Sequence, residues 1–187
     1  MKQKIKRLII FLLVAATLLG GLYQFGHKSY MNWAYKTDYK TIVEGYCKAY
    51  DLDPNLVYAV MKTESGFDPK AKSDVGAIGL MQMTEETFVW LKPKVGDHIQ
   101  FKDLYTPEFS IRYGTFYLSY LLDRYDGDET NAVAAYHAGV GSVKKWLKDP
   151  SCSSDHKHLS FIPSEATSYY VTKVAHAKQV YTQRGEV

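Results

Sequence analysis

The chain has 187 residues, 46% of them hydrophobic and 14% aromatic, which excludes a disordered tail and suits one domain plus an appendage. Its 23 Lys and Arg against 20 Asp and Glu give a formal net charge of +3, yet that excess is local. Lys2, Lys4, Lys6, Arg7 and Lys28 place +5 on residues 1–28, and the remaining 18 basic and 20 acidic residues leave −2 on the body, too little positive charge for a nucleic-acid partner.

Residues 1–7 form a basic tail, and the 19 residues from Leu8 to Gly26 carry no charge. A helix of that length covers about 28 Å, enough for a bilayer core. The positive-inside rule then puts residues 1–7 in the cytoplasm and the rest outside, a single-pass cell-membrane protein anchored by its N-terminal helix. A cleaved signal peptide shares the same basic start and apolar run, and gives a secreted protein instead. Ala15-Ala16-Thr17 is a poor small-x-small cleavage site, and the lack of a cysteine directly after the run leaves a lipid anchor without support. Both readings export the body. Residues 27–37 read as a spacer, with Tyr30, Trp33 and Tyr35 suited to an interfacial belt.

Residues 38–187 show helical periodicity, no repeat and no second domain boundary. Tyr39, Ile42, Val43, Tyr46, Cys47 and Tyr50 recur at three- and four-residue spacing, an amphipathic first helix. Asp53-Pro54 starts a second, with Asp as N-cap and Pro at the first helical position, ending at Gly66. Thr84 and Thr106-Pro107 open two more, Asp128 caps another that ends at Gly139, and a last helix covers Glu165 to Gln183. No run alternates as a strand, so the expected fold class is mainly α. Cys47 and Cys152 lie in the exported part, where either a disulfide or two buried thiols is compatible with the spacing.

Glu64 falls in the last turn of the helix that begins at Pro54, just past Val60 and Met61. The helix C-terminus and the apolar neighbours both raise a carboxyl pKa there, as a general acid for glycoside cleavage requires. After it come Ser65, then Gly79-Leu80-Met81-Gln82, then Ala135-Tyr136-His137-Ala138-Gly139, then Ile162-Pro163 with Tyr170-Val171. In these four ordered blocks the chain resembles the soluble lytic transglycosylase (SLT) family, over residues 40–183. The resemblance implies a single goose-type-lysozyme-like α domain that acts on peptidoglycan glycan strands of the bacterial cell wall, with no cofactor and no metal. It implies Glu64 as the catalytic acid and base. Ser73 matches a serine near the substrate N-acetyl group, Gln82 a glutamine beside the scissile bond, and Tyr136 a cleft tyrosine. Tyr170 matches the tyrosine that holds the catalytic glutamate.

Three positions depart from the family pattern. His137 stands where an Asn is usual, and a neutral imidazole can likewise donate and accept, so His137 joins the substrate-binding set with an altered pH dependence. Ala166 replaces a glutamate beside Thr167, and Thr84-Glu85 stands where a proline is common. Only one carboxylate lies in the recognised blocks, because Asp68 and Asp74 match no second catalytic position. A single-carboxylate site needs a nucleophile from the substrate, the acetamido carbonyl of N-acetylmuramic acid. Glu64 would then deprotonate the C6 hydroxyl to close a 1,6-anhydro ring. Attack by water would make the protein a muramidase, and a scaffold that binds glycan without cleaving it is the third reading.

Other clusters fit simpler roles. Asp123, Asp126, Asp128 and Glu129 lack the spacing of a calcium loop. Asp155-His156-Lys157-His158 reads as a solvated loop, and Trp33, Trp90 and Trp146, although able to stack on sugars, read by default as core or interfacial residues.

Overall fold

The computed structural model describes residues 2–185 and divides the chain into two units between Lys36 and Thr37. The first is one helix, α1 (Lys2–Ala34), with Phe11, Leu13, Leu19, Leu22 and Phe25 exposed along it. Its segment Ile9–Ala34 is long and apolar enough to cross a membrane, a test that an N-terminal signal sequence also passes. The helix continues eight residues beyond Gly26, through most of the expected spacer, because residues 27–34 contain neither Pro nor Gly to stop it.

The second unit contains α2 (Lys40–Tyr50), α3 (Pro54–Ser65), α4 (Glu85–Val95), a 3₁₀ turn (Phe101–Tyr105), α5 (Pro107–Arg124), α6 (Glu129–Ala138), α7 (Val140–Lys148) and α8 (Glu165–Arg184). Among the described residues the only β pairing is two isolated bridges, Lys72 with Ile78 and Ile78 with Met83. The helix starts follow the expected chemistry. Asp53 accepts from the Asn55 amide, Thr84 from Thr87 and Asp128 from Asn131, each satisfying a donor the first turn leaves open. Helix α7 was not anticipated, since its short polar run Val140-Gly141-Ser142 follows directly on a glycine.

Helix α3 is buried at Leu56, Val57, Tyr58, Ala59, Val60 and Met61 in succession. A helix apolar on every side belongs at the centre of a domain, and α3 lies along α8, where Tyr58 meets Tyr181 at 5.4 Å between ring centroids. Lys178 of α8 closes the assembly by bridging Asp53 at 3.1 Å and Glu129 of α6. Helix α6 contributes buried Ala132, Ala134 and Ala135, small enough to let α5, α7 and α8 approach closely. Cys47 and Cys152 are free, buried thiols, and burial pushes the Cys47 thiol up to about 12, far from a reactive thiolate.

Candidate active site

The last turn of α3 is where the central helix emerges from the core. Lys62 to Ser65 are half-buried, and Gly66 (φ 59°) ends the helix in the left-handed region, with its N–H on the Lys62 carbonyl. Glu64 sits there with most of its carboxyl out of water. Burial raises its pKa from 4.5 to about 7, with partial offsets from a Tyr170 hydrogen bond and the Lys173 charge. Among the described residues, the side chains that act on it are Tyr170 and Lys173, neither of them a carboxylate. The Tyr170 hydroxyl of α8 donates to Glu64 Oε1 at 2.6 Å, a contact between residues 106 positions apart.

The loop after Gly66 folds back over this turn. Ser65 Oγ donates to the Leu80 carbonyl at 2.8 Å and accepts from the Phe67 amide at 3.2 Å, which ties the glutamate's helix to the Gly79–Gln82 block. The Tyr136 hydroxyl donates to the Met81 carbonyl at 2.8 Å, and the Met81 amide donates to buried Ser110 Oγ at 3.1 Å. Gly79 adopts φ 78°, and a Cβ there would collide with the Leu104 carbonyl and with Ser110. Both conformation and space require glycine. Gln82 is also left-handed (φ 47°), a strained geometry for a side-chain-bearing residue, and its own amide holds it there. Gln82 Nε2 donates to the Gly79 carbonyl at 3.0 Å and the Ala71 carbonyl at 3.2 Å, leaving Oε1 as the open acceptor.

Tyr136 and Tyr170 stand beside Glu64, and each phenol is pushed well above its ordinary value, burial first and the Glu64 charge second. His137 lies behind them. Its ring stacks on Tyr170 at 4.5 Å and 30°, and Nδ1 is 3.1 Å from Thr167 Oγ1. The Thr167 hydroxyl donates to Ser164 Oγ at 3.0 Å, so its oxygen accepts from Nδ1–H of His137. Burial lowers the His137 pKa, which favours the neutral ring. His137 thus packs the Tyr170 side of the site, a position that replacement of the usual Asn did not reveal. Ala166 is exposed in the first turn of α8, pointing away from these contacts.

Ser73 belongs to the same loop, but its Oγ accepts from the Ala77 amide at 3.1 Å and its N–H donates to the Ala77 carbonyl at 2.9 Å, so it caps a turn. Of the expected set, Glu64, Tyr136, His137 and Tyr170 come together, while Gln82 and Ser73 shape the loop beside them. Sequence reasoning missed a groove of about 490 Å³ lined by Trp90, Tyr117, Tyr120, Gly139 and Val140. Tyr117 joins it to the site by packing on Tyr136 at 5.3 Å, and Trp90 crosses Tyr120 edge-on at 4.9 Å. Only the fold brings those rings together.

Asp68 accepts from the Lys70 amide in an exposed turn, and among the described residues no three His, Cys, Asp or Glu side chains converge to hold a metal ion. A family profile described as the transglycosylase SLT domain matches residues 42–159. The chain belongs to this family. The chain is 31% identical over 164 residues to the soluble lytic murein transglycosylase of Salmonella typhimurium, covering 86% of this chain and 25% of that protein. It is 30% identical over 165 residues to membrane-bound lytic murein transglycosylase C of Actinobacillus pleuropneumoniae, covering 76% and 45%. Among solved structures, an inactive mutant of the lytic transglycosylase Slt from Pseudomonas aeruginosa superposes with a TM-score of 0.74 at 30% identity, over 82% of this chain and 25% of that one. A 70-kDa soluble lytic transglycosylase in complex with bulgecin A gives 0.73 at 26% identity, over 82% and 25%. The chain therefore spans a quarter of the length of the soluble relatives. Tyr170 lies outside the profile-matched segment, and the fold returns it to Glu64.

Proposed function

We propose that this protein is a peptidoglycan lytic transglycosylase, cleaving the β-1,4 bond between N-acetylmuramic acid and N-acetylglucosamine without water. The observation that carries this reading is the Glu64 carboxyl itself, lifted to about 7 by burial, held by Tyr170 and, among the described residues, acted on by no second carboxylate. A protonated Glu64 gives its proton to the glycosidic oxygen as that bond breaks. The acetamido carbonyl oxygen of the muramoyl residue bonds to the anomeric carbon, which leaves an oxazolinium ion and a Glu64 carboxylate. The carboxylate then takes the proton of the C6 hydroxyl while O6 displaces the acetamido oxygen, giving the 1,6-anhydro end and restoring the acid. Tyr170 fixes the carboxyl through both steps, and Gln82 Oε1 and the Trp90–Tyr117 groove line the path of the strand. Because the resting form must be protonated, activity falls as pH rises through about 7.

The apolar span Ile9–Ala34 of α1 and the basic residues that precede it in the same helix support a single-pass anchor with the catalytic domain outside the cell membrane. An intact mass of 21.3 kDa for protein recovered from membranes supports it, and a mass shortened at the N-terminus supports a cleaved signal. The catalytic assignment is tested with Glu64→Gln in the full chain. Release of soluble fragments from purified peptidoglycan should drop by about 10³-fold or more, in line with loss of a general acid that acts twice. Retained activity would remove Glu64 from the mechanism.

A further inference from the structure

Beyond the cleft, the second unit carries a groove of about 800 Å³ between the C-terminal end of α5, the outer face of α7 and the loop 156–158. Its walls carry Arg124 from α5, Lys144 and Lys148 from α7, and Lys157 with His156 from the loop, opposed by Asp126. Among the described residues, none of those four Arg and Lys side chains forms an ion pair with a carboxylate. This concentration of positive charge is notable on a body whose formal charge is −2. Arg124 donates to the Tyr120 hydroxyl at 3.3 Å, which holds it in place without neutralising it, and cations that converge from three elements with no carboxylate paired to them raise the local potential toward anions.

The loop is built rather than floppy. Buried Asn131 holds both ends of the Lys157–Leu159 stretch, donating to the Lys157 carbonyl at 2.6 Å and accepting from the Leu159 amide at 3.1 Å. Asp155 Oδ1 accepts the Lys157 and His158 amides at 2.8 Å each, and its other oxygen pairs with His158, whose pKa rises accordingly. His156 is left-handed at φ 59°, with Nδ1 2.9 Å from the Leu147 carbonyl, so the loop is fastened to α7 as well. This wall therefore presents Lys157 at a defined place, and part of the conformational entropy of binding is met by the fold.

We propose that this groove binds a linear phosphodiester polymer, a second attachment of the domain to the cell envelope separate from the glycan cleft. The concave shape favours a chain over a membrane, since cations on facing walls can enclose successive phosphates, whereas a bilayer surface would meet only the rim. Binding of such a chain releases condensed counterions and weakens as salt rises.

The test uses the full chain in a zwitterionic detergent, with a synthetic poly(glycerol phosphate) as probe at low and physiological salt. Saturable binding is expected, weakened tenfold or more by the pair Lys144→Glu and Lys148→Glu, with cleavage of phosphate-free peptidoglycan unchanged. The pair Lys48→Glu and Lys102→Glu, which changes net charge equally at exposed sites elsewhere, should weaken binding less than twofold. Equal weakening by both pairs overturns the site, as it would mark a whole-molecule field. Equally tight binding of polyglutamate overturns the phosphate assignment. Binding to phosphatidylglycerol vesicles without binding to the polymer overturns the proposal in favour of a membrane surface.

Discussion

In the proposed mechanism a single titratable side chain, Glu64, carries the chemistry, and its burial ties fold stability to pH. The Glu64 pKa is higher in the folded chain than the 4.5 of an exposed glutamate, so folding favours its protonated form. The stabilisation associated with that proton is complete below 4.5 and is lost as pH rises through about 7. Wild-type thermal stability should therefore decline between pH 5 and 8, on the order of 2 kcal/mol from this group. Glu64→Gln, which cannot ionise, should show a flatter profile and exceed wild type at pH 8. Parallel profiles for the two proteins would mean the carboxyl is not held protonated. Tyr170→Phe removes a hydrogen bond that lowers the Glu64 pKa, so the alkaline limb of the pH–rate profile should move upward while turnover drops about tenfold. An unchanged limb would separate Tyr170 from the titration of Glu64. His137 shows what residue identity alone leaves hidden. Its type suggests substrate contact, and the fold adds an Nδ1 bond to Thr167 and a stack on Tyr170 that residue identity does not show.

Among the elements, the loop from Gly66 to Met83 matters most, because Ser65, Tyr136 and Ser110 all hold it by backbone atoms of Leu80 and Met81. Gly79→Ala would force a Cβ against the Leu104 carbonyl in a left-handed backbone. It should destabilise the protein by about 3 kcal/mol or more and abolish cleavage, read from denaturant midpoints and fragment release. A variant with wild-type midpoint would show that the loop can shift freely. The helices were readable where caps and periodicity coincide, as at Asp53-Pro54, Thr84 and Asp128. Helix α7 was not, since its first turn holds Gly141 and Ser142, and its place is set by tertiary packing of Val143 into the core. The end of α1 was also displaced, because charge and hydropathy mark a bilayer crossing but not where a helix stops.

At the scale of the whole molecule, the charge distribution sorts the chain into functions. The +5 of residues 1–28 belongs to a helix able to cross a membrane, and the body, though −2 overall, lines one groove with Arg124, Lys144, Lys148 and Lys157. The four ordered sequence blocks pointed to Glu64, Tyr136 and Tyr170, and the fold brings these three side chains together. The Trp90–Tyr117–Tyr120 groove was invisible, because its rings come from α4 and α5 and meet only in three dimensions. The central claim is that one carboxyl serves as acid and then as base while the substrate supplies the nucleophile. Mass spectrometry of the fragments released from purified peptidoglycan measures this directly. The account predicts muropeptides lighter by one water than their hydrolysed counterparts, ending in 1,6-anhydro-N-acetylmuramic acid and absent from a Glu64→Gln digest. Fully hydrated reducing ends would contradict it.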